Sequence, residues 1–327
     1  MDDTCELSLI IPTCPNRTAK LRTLLDGIAA TKSDHDRFEV IVAVDDLDDT
    51  PLDVLSALPS SIARTGLTQS HTGPAGARNH AIRHARGGWV LFFDDDAIVD
   101  AGTIPGHLQR IRHDPAARTA FLGRVDWPAE QIRSPWGQLL AGTSMIFFAR
   151  RMQPGGAYPF RHFCTSNLSV RRDWVREVGG FDDGFPYALH EDIELGWRLE
   201  RALGMQVRYE PEIRSWHDHE ILPRAYFQRE HQAGHVARLA KQLNRAFHDE
   251  VWGWLVDPVQ TLDTLSGLFG RTGRQLYAML ERWSEPSDER VSPDSLEAVY
   301  LAHLPLKRMA FCAGYADRPF NEFWESF

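Results

Sequence analysis

Three consecutive carboxylates, Asp94-Asp95-Asp96, end the apolar run Trp89-Val90-Leu91-Phe92-Phe93, which itself follows the pair Gly87-Gly88. Adjacent carboxylates repel one another and are costly to desolvate, so at the end of a core strand they call for a cation or a ring of donors. A second acidic cluster, Asp45-Asp46-Leu47-Asp48-Asp49, closes another apolar run at 38–44. Glu191-Asp192 opens the segment Ile193-Glu194-Leu195-Gly196-Trp197, and imidazoles follow in Trp216-His217-Asp218-His219. Carboxylate oxygens suit a hard divalent cation, and a lone Asp or Glu suits proton transfer. Each cluster alone also has a plainer reading. An Asp group can cap the next helix, Glu191-Asp192 can oppose a helix dipole, and His217 can be a solvated side chain.

The elements around these residues read as alternating strands and helices. A β-rich run at 7–11 stops at Pro12-Thr13-Cys14-Pro15-Asn16-Arg17, after which Leu21, Leu24, Leu25 and Ile28 recur at helical spacing. The run at 38–44 is a second strand. The turn Thr72-Gly73-Pro74-Ala75-Gly76 leads into a helix through Ala77-Arg78-Asn79-His80-Ala81-Ile82, ending near Gly87-Gly88. This alternation predicts a parallel, doubly wound α/β sheet whose strand ends bring two acidic clusters to one rim, where such sheets bind ligands. No turn carries a Gly-x-Gly-x-x-Gly or Walker pattern. Further strands are expected at 121–125, 144–148, 165–172 and 207–209. A helix is expected at 190–199, with Ile193, Trp197 and Leu199 on its inner side. From 221 onward only helical stripes remain: Ala233, Val236, Ala240 and Leu243; then Val259, Leu262, Leu265 and Phe269; then Leu276, Leu280 and Trp283. Two regions follow, 1–220 and 221–327.

A chain of 327 residues with 43% hydrophobic and 25% charged residues has the composition of a soluble globular protein. Its net charge of -9 argues against nucleic-acid binding through phosphate neutralisation. No apolar stretch has the length of a membrane span, and Met1-Asp2-Asp3-Thr4-Cys5 lacks the basic start and apolar middle of a signal peptide. Cys5, Cys14, Cys164 and Cys312 show neither metal-type pairing nor a disulfide framework. The expectation is a reducing cytoplasm.

In order along the chain, a set of short motifs resembles the family 2 glycosyltransferases of the GT-A fold. The set comprises Leu9-Ile10-Ile11-Pro12-Thr13 with Asn16-Arg17, Val42-Ala43-Val44-Asp45-Asp46, and Gly73-Pro74-Ala75-Gly76-Ala77-Arg78-Asn79. It continues through Phe92-Phe93-Asp94-Asp95-Asp96, Asn167 with Arg171-Arg172, Gly179-Gly180-Phe181-Asp182, Glu191-Asp192-Ile193-Glu194-Leu195 and Trp216-His217. The resemblance covers about 6–220. It implies a mixed sheet with a Rossmann-like nucleotide half, and inverting, metal-dependent transfer of a sugar from a nucleotide-diphosphate donor, most commonly a UDP-sugar. The acceptor would be a hydroxyl of a glycan, a lipid-linked or a small molecule.

Residue by residue, the resemblance makes Asp96 the carboxylate that binds manganese or magnesium, and His217 its completing imidazole. Asp94 and Asp95 take ribose and supporting positions. Pro12, Thr13, Arg17, Asp45 and Asp46 form the base and ribose pocket, with Asp46 facing a pyrimidine imide. Leu47-Asp48 replaces the Gly-Ser often found there. Arg78 is expected at the diphosphate, Asn167 and Glu191 near the donor sugar or acceptor, and Asp192 as general base. Residues 221–327 lie outside the resemblance. Their helices suit an acceptor lid, a homo-oligomer contact, or a peripheral dock at the inner membrane face, with Arg224, Arg229, Arg238, Lys241 and Arg245 leaning basic. Two rivals are a haloacid-dehalogenase-like phosphatase, suggested by Phe93-Asp94-Asp95-Asp96-Ala97, and a non-catalytic nucleotide- or glycan-binding protein.

Overall fold

Short β-rich, largely apolar runs bounded by turn residues suit strands covered on both faces. In the computed structural model, which describes residues 5–32, 34–114, 118–147 and 151–321, these runs form the centre of a nine-stranded mixed sheet. The strands are β1 (Leu7–Thr13), β2 (Phe38–Val44), β3 (Ala63–Thr68), β4 (Trp89–Phe92), β5 (Ala97–Val99), β6 (Thr119–Asp126), β7 (Ala157–Tyr158), β8 (Leu168–Arg171) and β9 (Gln206–His217). The helices are α1 (Thr18–Ala29), α2 (Gly73–His84), α3 (Thr103–His113), α4 (Pro135–Gly142), α5 (Arg172–Glu177), α6 (Glu191–Leu203), α7 (Pro223–Leu243), α8 (Arg245–Trp252), α9 (Pro258–Trp283) and α10 (Pro293–Tyr315).

The chain divides into two compact units, one of Met1–Asp126 with Met152–Asp218, the other of Trp127–Arg151 with His219–Phe327. In the first, strand order is β3-β2-β1-β4-β8-β6-β9-β5, with β7 beside β9. β1 pairs in parallel with β2 and β4, so the carboxyl ends of β2 and β4 share one rim. Beyond β4 the direction reverses at β8. Helix α1 buries Leu21, Leu24, Leu25 and Ile28 against this half.

Between β6 and β9 the register slips at Gly123/Arg124. A slip frees backbone carbonyls that must find donors. Asn167 Nδ2 donates to Arg124 O and Ile213 O, both at 3.3 Å, and Thr103 Oγ1 donates to Arg214 O at 2.6 Å. Residue 123 has to be glycine, since a Cβ there would lie 2.2 Å from Asn167 Nδ2.

Several expectations change. Residues 144–146 are bends and Phe147 is irregular, so no strand forms there, and Phe148 lies outside the described residues. The edge strand β3 has no counterpart in the apolar pattern, because its side chains are largely exposed. On α6 the fully buried apolar residues are Leu195 and Leu199, with Ile193 and Trp197 half-buried.

In the second unit α4 packs with α9 and α10. Trp136 Nε1 donates to Ile221 O at 2.6 Å, while the amide of Gln138 donates to Glu289 O at 2.7 Å and accepts from Val291 N at 3.0 Å. Helices α7 and α10 approach closely through Gly234 and Gly314, where a Cβ would meet the opposite backbone at 1.9 and 1.8 Å. No helix among the described residues is long and apolar enough to cross a membrane.

Candidate active site

Beyond β4 the chain turns sharply through Asp94-Asp95-Asp96, closed by Ala97 N donating to Asp94 O at 3.1 Å. Asp95 and Asp96 are buried, so their charge must be met locally. Thr13 Oγ1, at the end of β1, donates to Asp95 Oδ2 at 2.7 Å. Arg17, on the 3-10 turn after β1, donates to Asp95 Oδ1 from Nε at 3.0 Å and Nη2 at 2.9 Å, and from Nη2 to Asp96 Oδ2 at 2.5 Å. Burial raises the pKa of Asp95, with Arg17 and Thr13 opposing the shift. Burial also opposes the charge of Arg17, yet its bonds to Asp95 and the nearby carboxylate charges hold it firmly protonated.

The ladder between β5 and β9 sets Ala97 opposite His217, and Asp218 N donates to Asp96 O at 2.8 Å. This register brings His217 Nδ1 to 3.2 Å from Asp96 Oδ1. A carboxylate oxygen and an imidazole nitrogen at that separation fit a divalent ion such as Mn2+ or Mg2+.

On the other side of the triple Asp stands Arg78, on α2. Its Nη2 donates to Asp94 Oδ1 at 2.9 Å and its Nη1 to Glu191 Oε1 at 2.8 Å. Ser166 Oγ donates to Asp94 Oδ2 at 3.0 Å. Arg78 is 1% exposed, and the charges of Glu191, Asp94 and Asp192 keep it protonated against the penalty of burial. Its guanidinium lies 5.6 Å from the ring centre of Phe181. Phe181 is set by a reciprocal clamp: Asn79 Nδ2 donates to Phe181 O and Phe181 N donates to Asn79 Oδ1, each at 2.9 Å. Gly180, at φ +78°, makes room for that clamp; a Cβ would lie 2.5 Å from Asn79 Oδ1.

Glu191 and Asp192 open α6 after His190, a left-handed residue at φ +68°. Such a backbone costs of order 1–3 kcal/mol and is often retained at functional sites. Asp192 Oδ1 accepts from Ile193 N at 2.7 Å and Oδ2 from Thr165 N at 3.3 Å. Burial raises the carboxyl pKa of both Glu191 and Asp192; at Glu191 the Asp192 charge adds to this, and Arg78 opposes it at both.

At the end of β2, Asp45 is buried and organises the start of α2. It accepts from Thr72 N at 2.8 Å, Gly73 N at 2.9 Å and Gln69 Nε2 at 3.0 Å, with His71 Nδ1 at 2.8 Å. Asp46 beside it is exposed, and its Oδ1 accepts from Asp48 N at 3.0 Å, closing the turn through Leu47. Pro12 is half-buried on the same rim.

Two expected roles change with this geometry. Asn167 is fully buried, with its oxygen 2.9 Å from His107 Nε2 and its amide donating to the slipped carbonyls, so it anchors the sheet and has no atom left for a sugar. Arg78, expected at the diphosphate, has its Nη groups on two carboxylates instead. Ser166, the Thr165 amide and the Asn79–Phe181 clamp join the site without a signal of their own in the residue pattern. Asn79 and Gly180 do lie in the quoted motifs, and Ser166 directly precedes Asn167.

Residues 8–179 match the family Glycosyl transferase family 2. The chain is 30% identical over 223 residues to validoxylamine A glucosyltransferase of Streptomyces hygroscopicus subsp. jinggangensis, covering 59% of this chain and 51% of that protein. It is 24% identical over 257 residues to the uncharacterized glycosyltransferase YfnE of Bacillus subtilis, covering 64% of each. The chain thus spans about half to two thirds of the length of these curated relatives. Among solved structures, the mannosyltransferase PcManGT of Pyrobaculum calidifontis in complex with GDP-Man and Mn2+ superposes with a TM-score of 0.57 at 17% identity, covering 95% of this chain and 86% of that one. S. aureus TarS 1-349 in complex with UDP gives 0.51 at 15% identity, covering 95% and 90%. At such identities the likeness is one of fold.

Proposed function

The chain belongs to glycosyl transferase family 2, and on that footing we propose that it moves a sugar from a nucleotide-diphosphate donor to an acceptor hydroxyl, inverting the anomeric carbon. The observation that carries this reading is the double pairing of Arg78. One buried guanidinium ties the Asp94–Asp96 turn to Glu191-Asp192, so donor-side carboxylates and a candidate base share one wall. Family membership sets aside the phosphatase reading.

In this reading Asp192 accepts the acceptor proton as the acceptor oxygen attacks the anomeric carbon and the bond to the diphosphate breaks. Its raised pKa strengthens it as a base. Thr165 N and Ile193 N fix its carboxylate, and Arg78 with Glu191 sets the wall behind it. Asp96 and His217 would hold a divalent ion, which when bound supplies positive charge against the departing diphosphate. Pro12, Thr13 and Asp46 line the base and ribose side, and Asp45 holds the α2 entrance in place. A uridine nucleotide is the first candidate donor and a guanosine nucleotide the second, since fold neighbours hold UDP and GDP-Man. The acceptor is a glycan, a lipid-linked or a small molecule.

Thermal-shift measurement with UDP, GDP, CDP and dTDP, each with and without Mn2+ or Mg2+, tests the reading. A metal-dependent rise of several degrees with one nucleotide is expected by mass action. No shift with any of the four would overturn the donor assignment. Transfer or hydrolysis of the matching sugar nucleotide then separates an enzyme from a binding protein.

A further inference from the structure

We propose that Arg17 is a built-in stand-in for the divalent cation: it holds Asp95 and Asp96 together in the nucleotide-free protein and must release Asp96 before a metal can use that carboxylate. The inference rests on the reading of Asp96 and His217 as metal ligands. Three hydrogen bonds join Arg17 to the two Asp side chains, the shortest being that to Asp96 Oδ2. Asp96 thus shares its carboxylate between Arg17 on one oxygen and His217 on the other.

A guanidinium cannot yield the place by losing its proton. It has to move, because a divalent ion at the same carboxylate repels it. The means to move are present. The Arg17 side chain is 25% exposed, against 9% and 5% for Asp95 and Asp96, and it extends from a short 3-10 turn. An entering diphosphate offers the guanidinium another bidentate acceptor. Nucleotide binding therefore draws Arg17 off Asp96 and raises metal affinity, and by linkage the metal raises nucleotide affinity by the same factor. Metal affinity without nucleotide is lowered by the fraction of molecules in which Arg17 still occupies Asp96.

The test is Mn2+ binding to the full chain, read by electron paramagnetic resonance of free Mn2+, without nucleotide and with UDP or GDP. Wild type, Arg17→Met, Arg17→Lys and Asp96→Asn are compared. Arg17→Met is expected to bind Mn2+ about tenfold more tightly than wild type in the absence of nucleotide. Arg17→Lys, which keeps the charge but cannot span both carboxylates, is expected to fall between. Mn2+ should also raise the melting temperature of nucleotide-free Arg17→Met more than that of wild type, which the loss of a purely structural bridge would not produce. Equal or weaker Mn2+ binding by both Arg17 variants, with Asp96→Asn binding none, would overturn the stand-in role and leave the metal site standing. If wild type with nucleotide binds no more Mn2+ than Asp96→Asn, the metal-ligand reading fails and this inference with it.

Discussion

Arg78 Nη1 lies 2.8 Å from Glu191 Oε1, across 113 residues of sequence, with both side chains 2% exposed. The same guanidinium reaches Asp94. Removing Arg78 strips Glu191 and Asp94 of their hydrogen-bond donor, and each buried group left unsatisfied costs about 1–3 kcal/mol. Arg78→Met is therefore expected to lower unfolding free energy by about that amount in urea denaturation. Adding Glu191→Gln should recover part of the loss. Additive effects in the double-mutant cycle would mean that the two side chains do not stabilise one another.

Asp192→Asn keeps the shape and, through its single carbonyl oxygen, one of the two backbone contacts, but removes the proton acceptor. Transfer is expected to fall by roughly 10²–10⁴, while calorimetric affinity for UDP or GDP changes by less than about twofold, since the wall behind residue 192 is intact. Near-normal turnover would end its assignment as base. The raised pKa of Asp192 moves the acid limb of kcat/KM upward from where an ordinary aspartate would put it.

Burial first, and then the neighbouring Asp192 charge, raise the pKa of Glu191. The folded protein therefore holds a proton that the unfolded chain releases near pH 4.3. The stability this confers is present below that pH and is lost as pH rises through the folded value. With Glu191 pushed up to about 8, Glu191→Gln should gain on wild type in unfolding free energy between pH 5 and 8, by at most ~1.4 kcal/mol per pH unit. A pH-independent difference in urea denaturation would show that Glu191 titrates alike in both states.

Asn167→Ala strips donors from Arg124 O and Ile213 O and a partner from His107, whose pKa burial already depresses to about 4. Each unsatisfied buried group costs about 1–3 kcal/mol. A marked fall in melting temperature is expected, with donor KM little changed. A large rise in KM without loss of stability would return Asn167 to the sugar site.

What the sequence discloses follows from how local each feature is. The apolar run before Asp94 and the alternation of strands and helices require a parallel rim, and β1, β2 and β4 provide it. The Glu191-Asp192 pair at a helix start is equally local. The partners of Arg78 are not, because its register against Glu191 depends on α2 and α6 meeting in space. The place of Asn167 is hidden for a related reason. Its task arises only from the slip at Gly123/Arg124, and no apolar pattern records a slip. Residues 144–147 are rich in strand-forming types, but β-propensity expresses fit to a neighbouring strand, and no strand forms there.

Residues 127–151 interrupt the sheet unit in sequence, and helix α4 among them packs with helices made much later. Gln138 pairs with the backbone at 289, 151 residues downstream. At about 5–20 residues per second on the ribosome, that partner emerges roughly 8–30 s after Gln138. For that interval α10, one of the helices against which α4 packs, is not yet made, and Trp136, Leu139 and Leu140, all buried in the finished protein, are incompletely covered. Vectorial synthesis thus leaves a sticky segment between two parts of one sheet, and a chaperone that shields it should raise the yield of active chain more than one that acts after release.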